Sequence, residues 1–236
     1  MQKNLWVKES DKYTKRAQNY LKDNLYGGID QANACKRFSR TINQYVNNPR
    51  NILDIGCAYG GLVYELMQTY NETNFFGIYP GKKSIEIANT NIKNKRVSFI
   101  QGVSDELPFK DCEFDIVILT MVLQWIPREK LIKTISEIDR VLRNGGLIYL
   151  EDYLTNQPVT SISKHNKEIR IFKDNYASFF SAFPWLREIY REVSKIKEGE
   201  DFQRNISVIR KYDLNDVYIT KKGPSESNMI FYDSHK

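Results

Sequence analysis

The stretch that most constrains the fold is residues 51–66, NILDIGCAYGGLVYEL. It begins as a short apolar run, breaks at a turn containing Gly56, Gly60 and Gly61, and resumes with helical spacing. Glycine lets a backbone turn sharply and approach a ligand closely, and the N-terminus of a helix supplies free N–H groups. The order of strand, glycine turn and helix therefore predicts a nucleotide-binding corner, although glycines in such a turn also serve packing alone.

Downstream of this corner, apolar runs alternate with amphipathic segments. The run FDIVILT is almost wholly apolar, which is typical of a strand covered on both faces of a parallel sheet. Such alternation predicts parallel strands with right-handed crossovers and a ligand outside their carboxyl ends. The predicted strands are 51–55, 74–79, 97–102, 114–120 and 147–151, and the predicted helices between them are 60–70, 82–93 and 129–142.

Both flanks of this region are predicted to serve the ligand. Residues 1–48 read as an N-terminal helical extension, whose aromatic side chains either pack in the core or form a lid over the glycine turn. In the lid interpretation, Tyr13, Arg16 or Tyr20 meets a ligand carboxylate. The other predicted elements are a second helix at about 29–46, a strand at 169–173, a helix at 184–197, a strand at 202–212 and a polar tail at 221–236.

Composition limits the class of protein. A chain of 236 residues is long enough for one domain with a sizeable core. Lys and Arg number 35 against 29 Asp and Glu, spread without blocks, so a nucleic-acid partner is not indicated. The three cysteines have no zinc spacing, which predicts reduced thiols, a cytoplasmic location and no metal site. Neither a secretory signal nor a membrane span is predicted from the apolar runs.

The motifs of the alternating region, taken in order, resemble those of class I S-adenosylmethionine-dependent methyltransferases. They cover about 49–152 and read LDIGCAYGG, GIYPGKKSIEIAN, IQGVSDELPF with FDIVILTMVLQW, and EIDRVLRNGGLIYLED. The resemblance implies an α/β fold: a Rossmann-like, seven-stranded, mostly parallel sheet with helices on both faces and a final antiparallel pair. It implies a methyltransferase domain at 49–220 with a substrate-side insertion at about 152–200. A softer resemblance, in NYASFFSAFPWLREIYREV and RNISVIRKY, is to methyltransferases of surface-polysaccharide clusters.

The resemblance also implies S-adenosyl-L-methionine as the cofactor and places it around the glycine turn. Its amino-acid end is expected at Asp54 and the turn. The implied cofactor-binding residues are Asp54, Gly56, Cys57, Ala58, Gly60, Tyr79, Pro80, Val103, Ser104, Thr120 and Met121.

Two of these positions depart from the family pattern. Tyr79 stands where an Asp or Glu usually accepts from the ribose hydroxyls, and Val103 where an Asp often accepts from the adenine amino group. Losing a charged acceptor removes about 1.5–3 kcal/mol of hydrogen bonding. Tyr79 is a candidate to stack on adenine or donate to the ribose, and Ser104 or Asp105 to reach the adenine amine.

The predicted function is methyl transfer to an oxygen or nitrogen of a small molecule, with a sugar or surface-polysaccharide intermediate as one class of acceptor. His165 and Tyr153 are the candidate catalytic residues, since both follow or end the fifth strand. His165 fits equally well as a general base and as an exposed loop histidine without a role. The alternative function is a non-catalytic binding protein with an altered cofactor site, and a third, resting on charge alone, is an RNA methyltransferase. No oligomeric state is indicated.

Overall fold

The computed structural model describes residues 28–163, 168–195 and 203–217. Its strands are β1 (Asn51–Ile55), β2 (Asn74–Tyr79), β3 (Val97–Gln101), β4 (Phe114–Thr120), β5 (Leu142–Leu154), β6 (Val159–Ile162), β7 (Arg170–Lys173), β8 (Leu186–Lys195) and β9 (Gln203–Lys211). Its helices are α1 (Gly28–Ile42), α2 (Gly61–Thr69), α3 (Lys82–Asn91), α4 (Arg128–Val141), α5 (Tyr176–Phe180) and α6 (Leu214–Val217), with a 3-10 turn at Leu123–Trp125.

A 7-stranded sheet organises the molecule, in the order β3-β2-β1-β4-β5-β9-β8. Strands β1 to β5 pair in parallel, while β9 runs antiparallel between β5 and β8. The strand order therefore reverses between β1 and β4, which is the point where open α/β sheets bind their ligands. This architecture confirms the predicted seven-stranded, mostly parallel sheet with its final antiparallel pair. Strands β6 and β7 form a separate hairpin.

Each face of the sheet has its own apolar cluster. Helices α1, α2 and α3 contribute buried side chains to the first cluster, together with Ile52 of β1 and Ile118 of β4. Helices α4 and α5 contribute to the second cluster, together with Leu53 and Leu119 of the same strands. Neighbouring residues on a strand point to opposite faces, so both faces of the central strands are covered. The prediction of helices on both faces is confirmed.

The same alternation places the polar side chains at the carboxyl edge of the sheet. Asp54 shares a face with Ile52, and Thr120 shares a face with Ile118, so both lie on the side of the first cluster. Glu151 pairs with Thr120 across β4 and β5 and lies on that face too, whereas Asp152 lies on the face of the second cluster. The sheet thus offers two different polar sites at one edge.

The helix predicted at 184–197 is wrong, because this segment forms strand β8. Its apolar residues Leu186, Ile189, Tyr190 and Val193 have helical spacing, which was the basis of the prediction. The register of β8 against β9 shifts between Glu188 and Tyr190, so one extra residue is inserted into the strand. Such a β-bulge breaks the alternation of faces, and a broken alternation resembles helical periodicity.

Other predicted boundaries are close to the observed ones. Strand β5 begins at Leu142, directly after α4, and includes the Asn144-Gly145-Gly146 turn that was expected to precede it. The strands predicted at 169–173 and 202–212 correspond to β7 and β9, whereas β6 was not predicted. Tyr13, Arg16, Tyr20 and the tail at 221–236 lie outside the described residues.

The described residues contain no helix long and apolar enough to cross a membrane. Cys35 and Cys57 are buried free thiols in the first cluster, and Cys112 is an exposed free thiol.

Candidate functional site

The turn after β1 is held by its own backbone and packed against neighbouring strands. Gly56 and Gly60 have φ angles of 87° and 83°, in the left-handed region that favours glycine. The Gly56 N–H donates to the carbonyl of Ile78 at 2.9 Å, which ties the turn to the end of β2. A Cβ on Gly56 would collide with Val122, and one on Gly60 would lie 2.6 Å from the Phe99 ring. The turn accepts no side chains at these positions, so its backbone is the available surface.

Two non-glycine residues at this edge have left-handed backbone conformations. Ala58 has φ of 50° and Met121 has φ of 57°. Ala58 occupies the place where a glycine is common in the resembled family, so its conformation is the one that a glycine would adopt without strain. Met121 follows β4 directly, and its N–H donates to the carbonyl of Glu151 at 2.7 Å. Strained backbone of this kind concentrates at ligand-binding sites.

Asp54, at the end of β1, is a carboxyl group without exposure to bulk water. It is only 4% exposed, and burial raises its pKa to about 7. A cation that binds beside a buried carboxyl favours its ionised form and lowers its raised pKa. The site therefore favours a ligand that carries positive charge near the glycine turn.

At the end of β2, where the resembled family usually has a carboxylate, two backbone carbonyls accept hydrogen bonds from the end of β3. The carbonyl of Tyr79 accepts from the N–H of Gly102 at 3.1 Å, and the carbonyl of Pro80 accepts from Nε2 of Gln101 at 3.0 Å. The half-buried ring of Tyr79 packs against the first cluster. This arrangement keeps the ends of β2 and β3 together, next to the turn.

Ser104 and Asp105, the two candidates for the adenine amine, have partners on α4. The hydroxyl groups of Ser104 and Thr134 are 3.0 Å apart, and Lys130 Nζ donates to Oδ2 of Asp105 at 2.6 Å. Asp105 is also buried. Backbone at Val103, whose carbonyl accepts from the N–H of Glu106 at 3.3 Å, separates these side chains from the end of β3.

A cluster that the sequence analysis did not find surrounds the Glu151 carboxylate. Its Oε1 accepts from Nη2 of Arg37 at 2.8 Å, and its Oε2 accepts from Nε of Arg37 at 3.3 Å and from the Tyr149 hydroxyl at 3.1 Å. Nε of Arg204 lies 3.4 Å from Oε1. The side chain of Glu151 is only 2% exposed, so two guanidinium groups compensate one buried carboxylate. We name these four residues the Glu151 cluster.

Tyr153 lies beside this cluster. It pairs with Arg204 across β5 and β9 and follows Glu151 on the same face, two positions farther along β5. Lys173 of β7 places its Nζ 4.7 Å from the centre of the Tyr153 ring. The hairpin of β6 and β7 thus reaches the edge of the sheet where the acceptor is expected. His165 lies outside the described residues, so its candidacy stays a prediction.

On the other face, Asp152 and Arg128 hold the 3-10 turn that follows β4. Nη2 of Arg128 donates to the carbonyls of Leu123 and Ile126 at 2.8 and 2.7 Å. Burial raises the pKa of the Asp152 carboxyl to about 7, and the N–H groups of Tyr153, Gln124 and Leu123 oppose that rise. Its Oδ2 is buried without a hydrogen-bond partner among the described residues.

Comparison with known proteins identifies the domain that contains the glycine turn. Residues 52–146 match a family model described as "Methyltransferase domain". The match begins one residue into β1 and ends inside β5, so it covers the parallel half of the sheet. It leaves α1, the hairpin of β6 and β7, and strands β8 and β9 outside.

Curated relatives are similar to about half of the chain or less. Mouse (Mus musculus) tRNA N(3)-cytidine methyltransferase METTL2 is 32% identical over 111 residues, which are 43% of this chain and 28% of the relative. The phthiotriol/phenolphthiotriol dimycocerosates methyltransferase of Mycobacterium tuberculosis is 24% identical over 124 residues, which are 52% of this chain and 45% of the relative. The chain therefore spans less than half the length of either relative.

A solved structure covers more of the chain. The 1,6-didemethyltoxoflavin-N1-methyltransferase of Burkholderia thailandensis, with S-adenosylhomocysteine bound, has a TM-score of 0.64 and 14% identity. The similarity covers 88% of each chain, so the two proteins share their fold beyond the matched domain. With the glycine turn, the sheet order and the family match combined, the predicted resemblance and its cofactor are confirmed. Residues 52–146 of the chain therefore form a methyltransferase domain.

Proposed function

We propose that the whole protein transfers a methyl group from S-adenosylmethionine to an oxygen or nitrogen of a small molecule. The observation that carries the proposal is the combination of a turn with no room for a Cβ at Gly56 or Gly60 and a buried Asp54 carboxyl beside it. A scaffold that only reused the fold would have no need for either feature. The strained backbone at Ala58 and Met121 supports the same conclusion.

The residues at the edge of the sheet fit this cofactor. Asp54 would stabilise its ammonium group, and the backbone of residues 56–60 would surround its amino-acid end, close to Thr120 and Met121. Thr120 supports this assignment because its Oγ1 is buried without a hydrogen-bond partner among the described residues. The sulfonium of the bound cofactor supplies an activated methyl group. What the protein adds is orientation of the acceptor and exclusion of water.

The ribose and adenine would lie along Tyr79, Pro80, Val103 and Ser104. Because Ser104 is engaged with Thr134, we assign the adenine amine to backbone carbonyls rather than to that hydroxyl. Tyr79 would stack on the adenine or donate to a ribose oxygen. The ribose and adenine of the cofactor would then be bound without a carboxylate acceptor at either position. We therefore expect micromolar rather than tighter affinity for the cofactor.

The acceptor would bind between the end of β5 and the substrate-side insertion. Tyr153 is our candidate catalytic residue there, and His165 is a second candidate from the same insertion. The hairpin of β6 and β7 and helix α5 pack against the 3-10 turn and β5, which narrows this side of the site. A narrowed site suits a small polar acceptor, with a sugar or surface-polysaccharide intermediate as one class. The free thiols support a reducing compartment, the cytoplasm.

RNA is the competing acceptor, because the mouse relative is named as a tRNA methyltransferase. The similarity to that relative involves 43% of this chain, and the family match ends at residue 146, before the insertion. Acceptor specificity in this proposal resides in the insertion and in the N-terminal extension, so a similarity over less than half of the chain does not identify the acceptor.

Transfer of a labelled methyl group tests the acceptor class. We would incubate the protein with methyl-labelled S-adenosylmethionine and an extract of the organism that encodes it, then separate small molecules, RNA and protein. The proposal expects label in the small-molecule fraction, and none with Asp54→Ala. Label in RNA would contradict the acceptor class. Absence of transfer to any fraction would favour the alternative, a non-catalytic protein on this fold.

A further inference from the structure

The Glu151 cluster holds more positive than negative charge. Arg37 and Arg204 face the single carboxylate of Glu151. Two guanidinium groups and one carboxylate therefore meet at the carboxyl end of β5. This excess lies in a partly buried site, where charges are less screened than on the open surface.

The nearest other carboxylates do not balance the excess. Glu192 accepts from Arg40 at 2.6 Å and from the Tyr190 hydroxyl at 2.6 Å, so it is already compensated. Asp152 lies on the opposite face of the sheet, beside the 3-10 turn. An additional anion would therefore be stabilised on the face that holds Glu151.

Arg204 differs from Arg37 in that it makes an ion pair with Glu151 but no hydrogen bond to it. Its Nε is buried without a hydrogen-bond partner in the described part of the chain, and the 3.4 Å approach to Glu151 is an ion pair without hydrogen-bond geometry. Its side chain is 38% exposed, compared with 26% for Arg37, whose Nε and Nη2 both donate to Glu151. Glu151 thus fixes Arg37, and Arg204 retains its planar fork for a ligand.

The position of Arg204 relates it to the acceptor rather than to the glycine turn. It pairs with Tyr153, our candidate catalytic residue, while β5 and β4 separate β9 from β1 in the sheet. Neighbouring strands are about 4.8 Å apart, so β9 lies roughly 14 Å from the strand that carries Asp54. Thr120, on the intervening β4, is nearer the cofactor region.

We propose that the acceptor carries an anionic oxygen group, a carboxylate or a phosphate, which Arg204 binds with Arg37 in support. The inference deepens the proposed function and rests on it, since it places the anion on the acceptor side of a bound cofactor. A guanidinium fork held beside a buried carboxylate is oriented before the ligand arrives, which lowers the entropic cost of binding.

Anion binding by the cofactor-loaded protein tests this inference. The protein saturated with S-adenosylhomocysteine would be titrated with sodium phosphate and, separately, sodium acetate, against sodium chloride of equal ionic strength, and thermal unfolding would be followed. We expect a saturable rise in Tm with at least one of the two oxyanions. Arg204→Gln should weaken its apparent affinity about tenfold or more, because a charge-assisted bidentate contact is lost. The more effective anion tells a phosphate from a carboxylate.

Two further variants complete the design. Arg187→Gln removes an exposed arginine of β8 that stacks on Tyr212, and it should keep the anion effect of the parent protein. Arg204→Lys keeps the charge and loses the fork, so it should bind the same anion with reduced affinity. If Arg204→Gln does not fold, Arg204→Lys replaces it as the test of the anion site.

Three results would overturn the inference. The first is that neither anion raises Tm above the chloride control. The second is that Arg204→Gln responds like the parent protein. The third is that Arg204→Gln loses affinity for S-adenosylhomocysteine in calorimetry, since the guanidinium would then serve the cofactor. Failure of the parent protein to bind S-adenosylhomocysteine would contradict the proposed function instead.

Discussion

Nη2 of Arg37 donates to Oε1 of Glu151 at 2.8 Å, joining helix α1 to the carboxyl end of β5. The acceptor is almost completely buried, and the donor is only 26% exposed. A second ion pair from α1, between Arg40 and Glu192 of β8, is much more exposed. Helix α1 therefore forms one buried ion pair with the carboxyl end of β5 and one exposed ion pair with β8.

Removing the buried donor should destabilise the fold. We predict that Arg37→Met lowers the free energy of unfolding by about 2–3 kcal/mol, because the Glu151 carboxylate stays buried with weaker compensation. Urea denaturation measures this change. Arg40→Met is the matched control on the same helix and should cost less than about 1 kcal/mol, since exposed ion pairs contribute little. Equal effects of the two variants would show that the burial of Glu151 has no energetic consequence.

The glycine turn should respond to one added methyl group. We predict that Gly56→Ala weakens binding of S-adenosylhomocysteine more than tenfold, because a Cβ there collides with Val122 and φ is 87°. Gly145→Ala is the control, since Gly145 has φ of 77° in an exposed turn remote from the site. It should lose stability and keep its affinity for the ligand. Similar losses of affinity in both variants would assign the effect to folding rather than to the turn.

The sequence predicts the cofactor half of this molecule well because its signals are local. The glycine turn, the apolar run of β4 and the alternation of elements each lie within a short window, and the structure has them in the predicted order. The bulge at Glu188 and Tyr190 has no local signature apart from broken alternation, which is why β8 was predicted as a helix.

Contacts between distant parts of the chain could not be predicted in the same way. Arg37 and Glu151 are 114 positions apart, and nothing near either residue indicates its partner. Ser104 was expected to be available to a ligand, but its hydroxyl lies 3.0 Å from that of Thr134, 30 positions later. Such pairs depend on how helices cross the sheet, which local patterns do not determine.

Stability should depend on pH through Asp152. Its ordinary pKa of 3.8 rises to about 7 in the folded protein, so the folded chain binds more protons than the unfolded chain between those values. The free energy of unfolding therefore falls as pH rises from about 4 to 7. Asp54 has a similar shift and acts in the same direction. We predict that Asp152→Asn roughly halves this slope.

The same variant should be more stable than the parent protein above pH 7, by an amount on the order of 3 kcal/mol. An asparagine there still offers an oxygen to the Tyr153 N–H, and its amide lies opposite Asn205, whose Oδ1 is buried without a partner among the described residues. Urea denaturation at pH 5, 6, 7 and 8 measures the slope. Asp111→Asn, at an exposed carboxylate paired with Arg140, should leave it unchanged. An unaltered slope in Asp152→Asn would contradict the assignment.

Replacing Ala58 with glycine should stabilise the folded protein. A φ of 50° costs a residue with a Cβ about 1–2 kcal/mol of strain in the folded protein. Glycine removes this strain, but it raises the entropy of the unfolded chain, which lowers the free energy of unfolding by about 0.5–1 kcal/mol. We therefore predict that Ala58→Gly raises the free energy of unfolding by about 0.5–1 kcal/mol. In contrast, Ala88→Gly in the buried face of α3 should lower it. Destabilisation by Ala58→Gly in urea denaturation would show that the left-handed conformation carries no strain.

Binding of the cofactor product tests the central claim most directly. Isothermal titration of S-adenosylhomocysteine into the full chain should give saturable binding with one site per chain and micromolar affinity, and Asp54→Ala should abolish it. The control variant Asp111→Asn, which removes an exposed carboxylate, should leave the affinity for S-adenosylhomocysteine unchanged. A flat titration of the parent protein with both S-adenosylhomocysteine and S-adenosylmethionine, in a sample that unfolds cooperatively, would contradict the proposed function.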